Sequence, residues 1–161
     1  MKIYLIVISL LFSACTTLPP AFDSADIQEL TYAQVKADTE KYKDVQVKWG
    51  GVVTDLKEVE DGSLMQVMLY PLDYYDRPDI DKPSEGYFLL KSEKKLDSKI
   101  YFTSREIVAI GTIEGKSDYA ATYGSAGLPL INAVSIHPWP IAYRENYYYY
   151  CPTCYFKQLF W

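Results

Sequence analysis

The chain has 161 residues, room for one domain rather than two. Without its first 14 residues, which carry one Lys and no acid, it holds 21 acidic against 15 basic side chains. That balance speaks against nucleic-acid binding, where phosphate neutralisation supplies most of the affinity, while a hydrophobic content of 49 % is that of an ordinary globular domain.

Residues 1–14 read as a cleaved secretion signal. Met1-Lys2 opens it, an apolar run continues from Ile3 to Phe12, and Ser13-Ala14 leads out. A cationic start, roughly 7–15 apolar residues and a small-residue exit define such a signal. The run is shorter than the roughly 20 apolar residues of a membrane-spanning helix. Cys15 follows at once. The lipoprotein signal peptidase requires a cysteine there, because its thiolate accepts a diacylglyceryl group and cleavage then frees its amine for a further acyl chain. Phe12 stands where a lipobox usually has Leu. A plain secretory signal followed by chance by Cys is the alternative. Several acyl chains anchor stably where one binds marginally. Thr16, in place of the Asp that retains lipoproteins in the inner membrane, points to the outer membrane. Residues 15–26, with Pro19-Pro20, form an extended lipidated tether.

The folded domain is expected over 27–140. Thr31 and Gln34 match a capping box, and Tyr32, Val35 and Tyr42 share one face of an amphipathic helix running to about Lys43. From Val45 the period becomes two. Val47 and Trp49 alternate with Lys48, Gly50-Gly51 interrupts, and Val52-Val53 resumes. Paired glycines inside a strand predict a bulge or coil where one strand serves two faces. Glu60-Asp61-Gly62 is a turn signal, and Ser63–Tyr70 is a second strand with Met65, Val67 and Leu69 on one side. An acidic surface loop covers Tyr74 to Gly86. Tyr87–Lys91 is a third strand, and the polar stretch after it is anchored by Leu96, Ile100 and Tyr101. Glu106–Ile113 is a fourth strand turned by Glu114-Gly115. Leu128–His137 is a fifth, stopped by Pro138-Trp139-Pro140. These elements predict a mainly β fold: a small five- to six-stranded antiparallel OB-like barrel with one N-terminal helix. An aromatic-rich tail, 141–161, completes the chain.

This order of elements resembles the Slp family, starvation-inducible outer-membrane lipoproteins of Gram-negative bacteria. The matching residues are the leader with Cys15, Val47-Lys48-Trp49-Gly50-Gly51-Val52-Val53, and Tyr70-Pro71-Leu72-Asp73. Gly86-Tyr87-Phe88, Arg105 to Gly115 and Leu128-Pro129-Leu130-Ile131 complete the likeness, which covers roughly residues 1–140. The tail matches no pattern. The resemblance implies an envelope lipoprotein tied to stationary phase and stress, with no catalytic residues to carry over.

Several constellations invite chemistry. Cys151-Pro152-Thr153-Cys154 has the spacing of a thiol–disulfide pair. It lacks a βαβ frame, so a local disulfide or an inert pair competes with redox exchange, with metal binding and with pairing between molecules. His137 is the only histidine, and its His-Pro-Trp setting reads as a strand edge rather than as part of a nucleophile–histidine–acid set. Asp73, Asp76, Asp79, Asp81 and Glu85 crowd one loop, which lacks the alternating ligands and central glycine of a calcium site. Trp49, Gly50 and Gly51 form either a binding face or a core Trp beside a structural glycine pair. The tail carries Tyr147 to Tyr150 among its aromatics, and reads either as an adhesive segment for a bilayer interface or an envelope partner or as a floppy low-complexity tail.

The expected protein is a non-enzymatic lipoprotein of the outer membrane, facing the periplasm. It needs no cofactor and no metal. Its partners would be membrane lipid through acylated Cys15, the lipoprotein processing and sorting machinery, and an envelope protein. The competing readings are a periplasmic thiol–disulfide protein using Cys151 and Cys154, and a barrel that binds a small ligand or cation.

Overall fold

The computed structural model describes residues 27–117 and 127–141, so Cys15, Cys151, Cys154 and the tyrosine-rich tail lie outside the described residues. The described chain folds into a closed barrel of five strands: β1 (Gln46–Val59), β2 (Gly62–Tyr70), β3 (Gly86–Ser92), β4 (Glu106–Lys116) and β5 (Pro129–Pro138). Around the barrel they run β1-β2-β3-β5-β4. A short helix, α1 (Tyr32–Ala37), precedes them.

The expected all-antiparallel barrel is corrected at one seam, because β3 and β5 pair in parallel through Leu89–Lys91 and Leu130–Asn132. Parity requires this. Five strands whose directions alternate cannot close with antiparallel pairs alone, so one neighbouring pair must run the same way. The other four seams are antiparallel.

Alternation along the strands builds the core. Val47, Trp49 and Val53 of β1 point inward with Met65, Val67 and Leu69 of β2, and each is at most 6 % exposed. Phe88, Leu90, Ile107, Ala109, Ile113 and Ile131 complete the interior, which α1 enters with Tyr32 and Val35. Outward-facing apolar residues are covered in two smaller clusters. One joins Leu64, Leu89, Leu128 and Leu130. The other joins Val108, Ile110 and Trp139, with Ile27 and Leu72 packed against them.

The capping box at Thr31 and Gln34 is present. The helix is shorter than its apolar periodicity predicts: it ends at Ala37, and a 3-10 turn follows at Glu40–Tyr42. Thr39 accounts for the stop. Its hydroxyl, on a side chain buried to 1 % exposure, donates to the Val35 carbonyl at 2.9 Å and ties the chain back on itself.

The glycine pair also departs from expectation. β1 runs unbroken through Gly50-Gly51, and its register shift lies further on, between Val53 and Asp55. What the pair provides is closeness. Gly50, Gly51 and Val52 face β2 on one edge and β4 on the other, so β1 is shared there by two neighbours. A Cβ on Gly51 would stand 2.7 Å from Val67 Cγ1 and 2.9 Å from the Met68 carbonyl carbon. On Gly50 it would overlap Leu72 and approach the Ile107 carbonyl oxygen to 3.1 Å.

Two smaller corrections follow. β4 continues through Glu114-Gly115 to Lys116, with a bulge there in place of a turn. Of the three expected anchors after β3, Leu96 and Tyr101 pack on the core, whereas Ile100 is exposed.

Candidate functional site

A cleft of about 480 Å³ lies between the segment leading into α1 and the barrel wall. That volume lies within the span of about 300–1,000 Å³ typical of small-molecule sites. Ile27 to Tyr32 form one side, the first half of β1 the floor, and the end of β2 with Pro71–Asp73 the other side.

The first side is held in place by backbone pairing. Gln28 N–H donates to the Gln46 carbonyl at 2.9 Å and extends the edge of β1. Leu30 and Val35 occupy the N′ and N4 positions of a hydrophobic staple, and both pack into the core. Trp49 then locks the segment from below: its indole N–H donates to the Leu30 carbonyl at 3.0 Å. The ring itself sits 5.9 Å from Tyr32 and 5.4 Å from Phe88, the latter edge-on. The Tyr32 ring lies against the backbone of Gly86, where any Cβ would collide with it, and its hydroxyl donates to the Tyr87 carbonyl at 2.9 Å.

Charge is set at the rim. Lys48 Nζ pairs with Asp76 Oδ1 at 2.8 Å, and Glu29 and Glu85 also line the cleft. Asp73, also on the rim, accepts N–H bonds from Tyr75 at 2.8 Å and Arg77 at 2.9 Å through one carboxylate oxygen, which fixes the loop after β2. Arg77 is paired in turn with Glu106 on β4. A partly neutralised acidic rim suits a small polar or cationic molecule more than an anion.

The candidate residues separate clearly. Trp49 and Gly50 line the cleft, and Gly51 does not. The Trp49 side chain is spent on the core and on Leu30, so it presents little more than an edge. Among the described residues no cluster of three or more His, Cys, Asp or Glu side chains is placed to hold a metal. Within the acidic loop, Asp76 and Asp79 are bound to Lys48 and Lys82. His137 lies on β5 opposite Val108, edge-on to Trp139 at 5.2 Å. Burial, and then the nearby Arg105 guanidinium, hold its imidazole below the usual histidine range. The Lys48–Asp76 pair and the Ile27–Leu30 wall were not anticipated. The apolar pair flanking the capping box was the available signal for the wall, whereas nothing local links Lys48 to Asp76 across 28 positions.

Two comparisons bear on what this domain is. The chain is similar to the outer membrane protein Slp of Escherichia coli (strain K12), with 27 % identity over 112 residues. That alignment takes in 68 % of this chain and 58 % of the relative, so the chain spans less than two thirds of that protein. The model of the family described as outer membrane lipoprotein Slp matches residues 12–161. The match begins within the lipobox and runs through the aromatic tail with Cys151 and Cys154, which the sequence patterns had left outside the resemblance. The match over nearly the whole chain assigns the protein to the outer membrane, and it belongs to the outer membrane lipoprotein Slp family.

Proposed function

We propose that this protein is a non-enzymatic envelope lipoprotein, acylated at Cys15, whose barrel faces the periplasm and acts as a structural or binding module under stress or in stationary phase. Under this reading the leader is 1–14, the tether 15–26, the folded unit 27–140 and the adhesive tail 141–161. The barrel is read as OB-type because of its strand order, its single parallel seam between β3 and β5, and a long β1 shared by two neighbours. The observation that carries the functional reading is Cys15 directly behind Ser13-Ala14, inside the span matched by the family. Cells fed labelled palmitate should yield labelled protein in the outer-membrane fraction. Cys15→Ser should abolish the label and release the chain from the membrane. Wild-type protein without label, or a Cys15→Ser chain still bound to the membrane, overturns the reading.

A second reading, small-ligand binding, is favoured by the cleft at Trp49. A ligand held there stabilises the folded state by RT ln(1 + [L]/Kd), about 2.7 kcal/mol at one hundred times Kd. Thermal shifts across a library of small cations and saccharides, abolished by Lys48→Met with Asp76→Leu, test it. Shifts unchanged in that double variant place binding elsewhere.

A further inference from the structure

We propose that one flank of the barrel, the outer wall of β1 and β4 with the loop after β2, lies against the bilayer and seats Tyr74 and Tyr75 among the lipid headgroups. This placement presupposes acylation at Cys15 and adds to it a defined membrane-facing side.

The chain itself sets the geometry. The tether between Cys15 and Ile27 has 11 residues, 16–26, which reach at most about 36–40 Å when fully extended. Ile27, where the tether meets the barrel, is fixed on the outer wall with Val108, Ile110, Trp139 and Leu72. Leu72 opens the loop that carries Tyr74 and Tyr75. The tether therefore leaves the barrel on this flank, beside that loop.

The loop is built to present rings. Tyr74 is 93 % exposed and Tyr75 63 %, and the two stand edge-to-face at 5.3 Å. Asp73 pins the loop through the N–H groups of Tyr75 and Arg77, and Leu72 bridges to Pro78 across its base. Exposed tyrosines on a fixed loop lose little conformational freedom on docking, and their apolar rings with polar tips match the headgroup zone. Cationic contacts offset the local acids. Asp76 is bound to Lys48 and Asp79 to Lys82, which lowers the repulsion from anionic lipid.

The same flank continues past the loop. Arg77, Phe102, Arg105 and Ile141 line a shallow cleft beside Trp139. Phe102 and Ile141 are exposed, and Arg105 lies over the Phe102 ring at 5.5 Å. Ile141, the last described residue before the tail, stands beside Trp139 on this flank, as Ile27 does.

Hydrogen exchange tests the placement. Acylated full-length protein would be reconstituted in vesicles of phosphatidylethanolamine and phosphatidylglycerol. A parallel sample would carry the mature chain with Cys15→Ser and an N-terminal histidine tag, held on the same vesicles by nickel-chelating lipid. Amides of 73–79 and 102–105 should exchange several-fold more slowly on vesicles than in solution, in both samples. The hairpin at Glu60-Asp61-Gly62 and the Lys94-Lys95 turn should not change. Tyr74→Ser with Tyr75→Ser should erase the slowing while leaving flotation of the acylated protein intact. Equal exchange on and off vesicles in the tagged sample overturns the proposal, as does slowing that favours the Lys95 side. Loss of flotation in the acylated sample alone counts against the lipid anchor, and the tagged sample still decides the orientation.

Discussion

Gly51→Ala is the sharpest test of why β1 carries a glycine pair. Gly51 is not at positive φ, so an alanine meets no backbone strain there. The cost must come from space. The added methyl would stand 2.7 Å from Val67 Cγ1 and 2.9 Å from the Met68 carbonyl carbon, inside the 3.0 Å that real Cβ contacts essentially never breach. Val67 is fully buried, and Met68 lies on the paired neighbouring strand, so neither neighbour has room to withdraw. Relief requires β1 and β2 to separate near the Gly51–Leu69 pair. Overpacking of this kind costs about 1–3 kcal/mol, and weakening one or two ladder bonds adds about 0.5–1.5 kcal/mol each. A total of about 3 kcal/mol, with an m value near 1.5 kcal/mol/M, lowers the urea midpoint by about 2 M. Trp49, two residues away and buried, reports the transition by fluorescence. Gly127→Ala is the contrasting control. Its φ is +79° and its nearest neighbour lies 4.0 Å away, so it should lose only the roughly 1–2 kcal/mol of a left-handed conformation. If Gly51→Ala unfolds within about 0.5 M of wild type, close approach does not explain this glycine.

Three further outcomes are expected. Trp49→Phe keeps a ring between Tyr32 and Phe88 but leaves the Leu30 carbonyl without its indole donor. A loss of about 1–3 kcal/mol is expected, together with faster amide exchange in 27–30 than in β2, measured by mass spectrometry. Thr39→Val conserves shape and removes the buried bond to Val35 O, for a loss of about 1–2 kcal/mol by chemical denaturation; an unchanged midpoint would mean the helix stop does not depend on that hydroxyl. His137 has a folded pKa below its unfolded value, so the unfolded chain takes up the proton first. Its contribution is complete above about pH 6.5 and disappears as the pH falls through the lower folded value. His137→Gln should flatten the dependence of Tm on pH over that interval, and a slope identical to wild type would contradict it.

The elements of the barrel were readable because local chemistry and tertiary demand agree in them. Met65, Val67 and Leu69 recur at every second residue and do face inward, and the capping box at Thr31 and Gln34 starts the helix where it should. The misreadings share one cause, a residue whose reason lies across the sheet. Gly50-Gly51 looks like a kink because a glycine pair usually relaxes dihedral angles, whereas here it removes two methyl groups from a crowded three-strand junction. Tyr42 continues the helical period on paper, but a hydroxyl three residues earlier reaches back and ends the helix. Ile100 is apolar and was expected to be an anchor, yet Leu96 and Tyr101 fill the available space. The cleft was half legible. Trp49 and Gly50 stand on its wall, but Lys48 and Asp76 are brought together only by closure of the barrel, and no pattern in the chain records such a pairing.

The sharing of β1 between β2 and β4 has a consequence for how the chain assembles. The β1–β2 hairpin and its pairing with β3 use near neighbours in sequence and can form early. The first half of β1 must then wait for β4, since Gln46 pairs with Thr112. Closing so long a loop makes folding slow relative to helical domains of similar size. Throughout that wait Gln46–Val52 presents a free strand edge next to Val47 and Trp49, the kind of template on which other chains add. The interval between synthesis of β1 and arrival of β4 is where aggregation competes with folding. Substitutions that delay β4 should therefore lower yield before they lower stability.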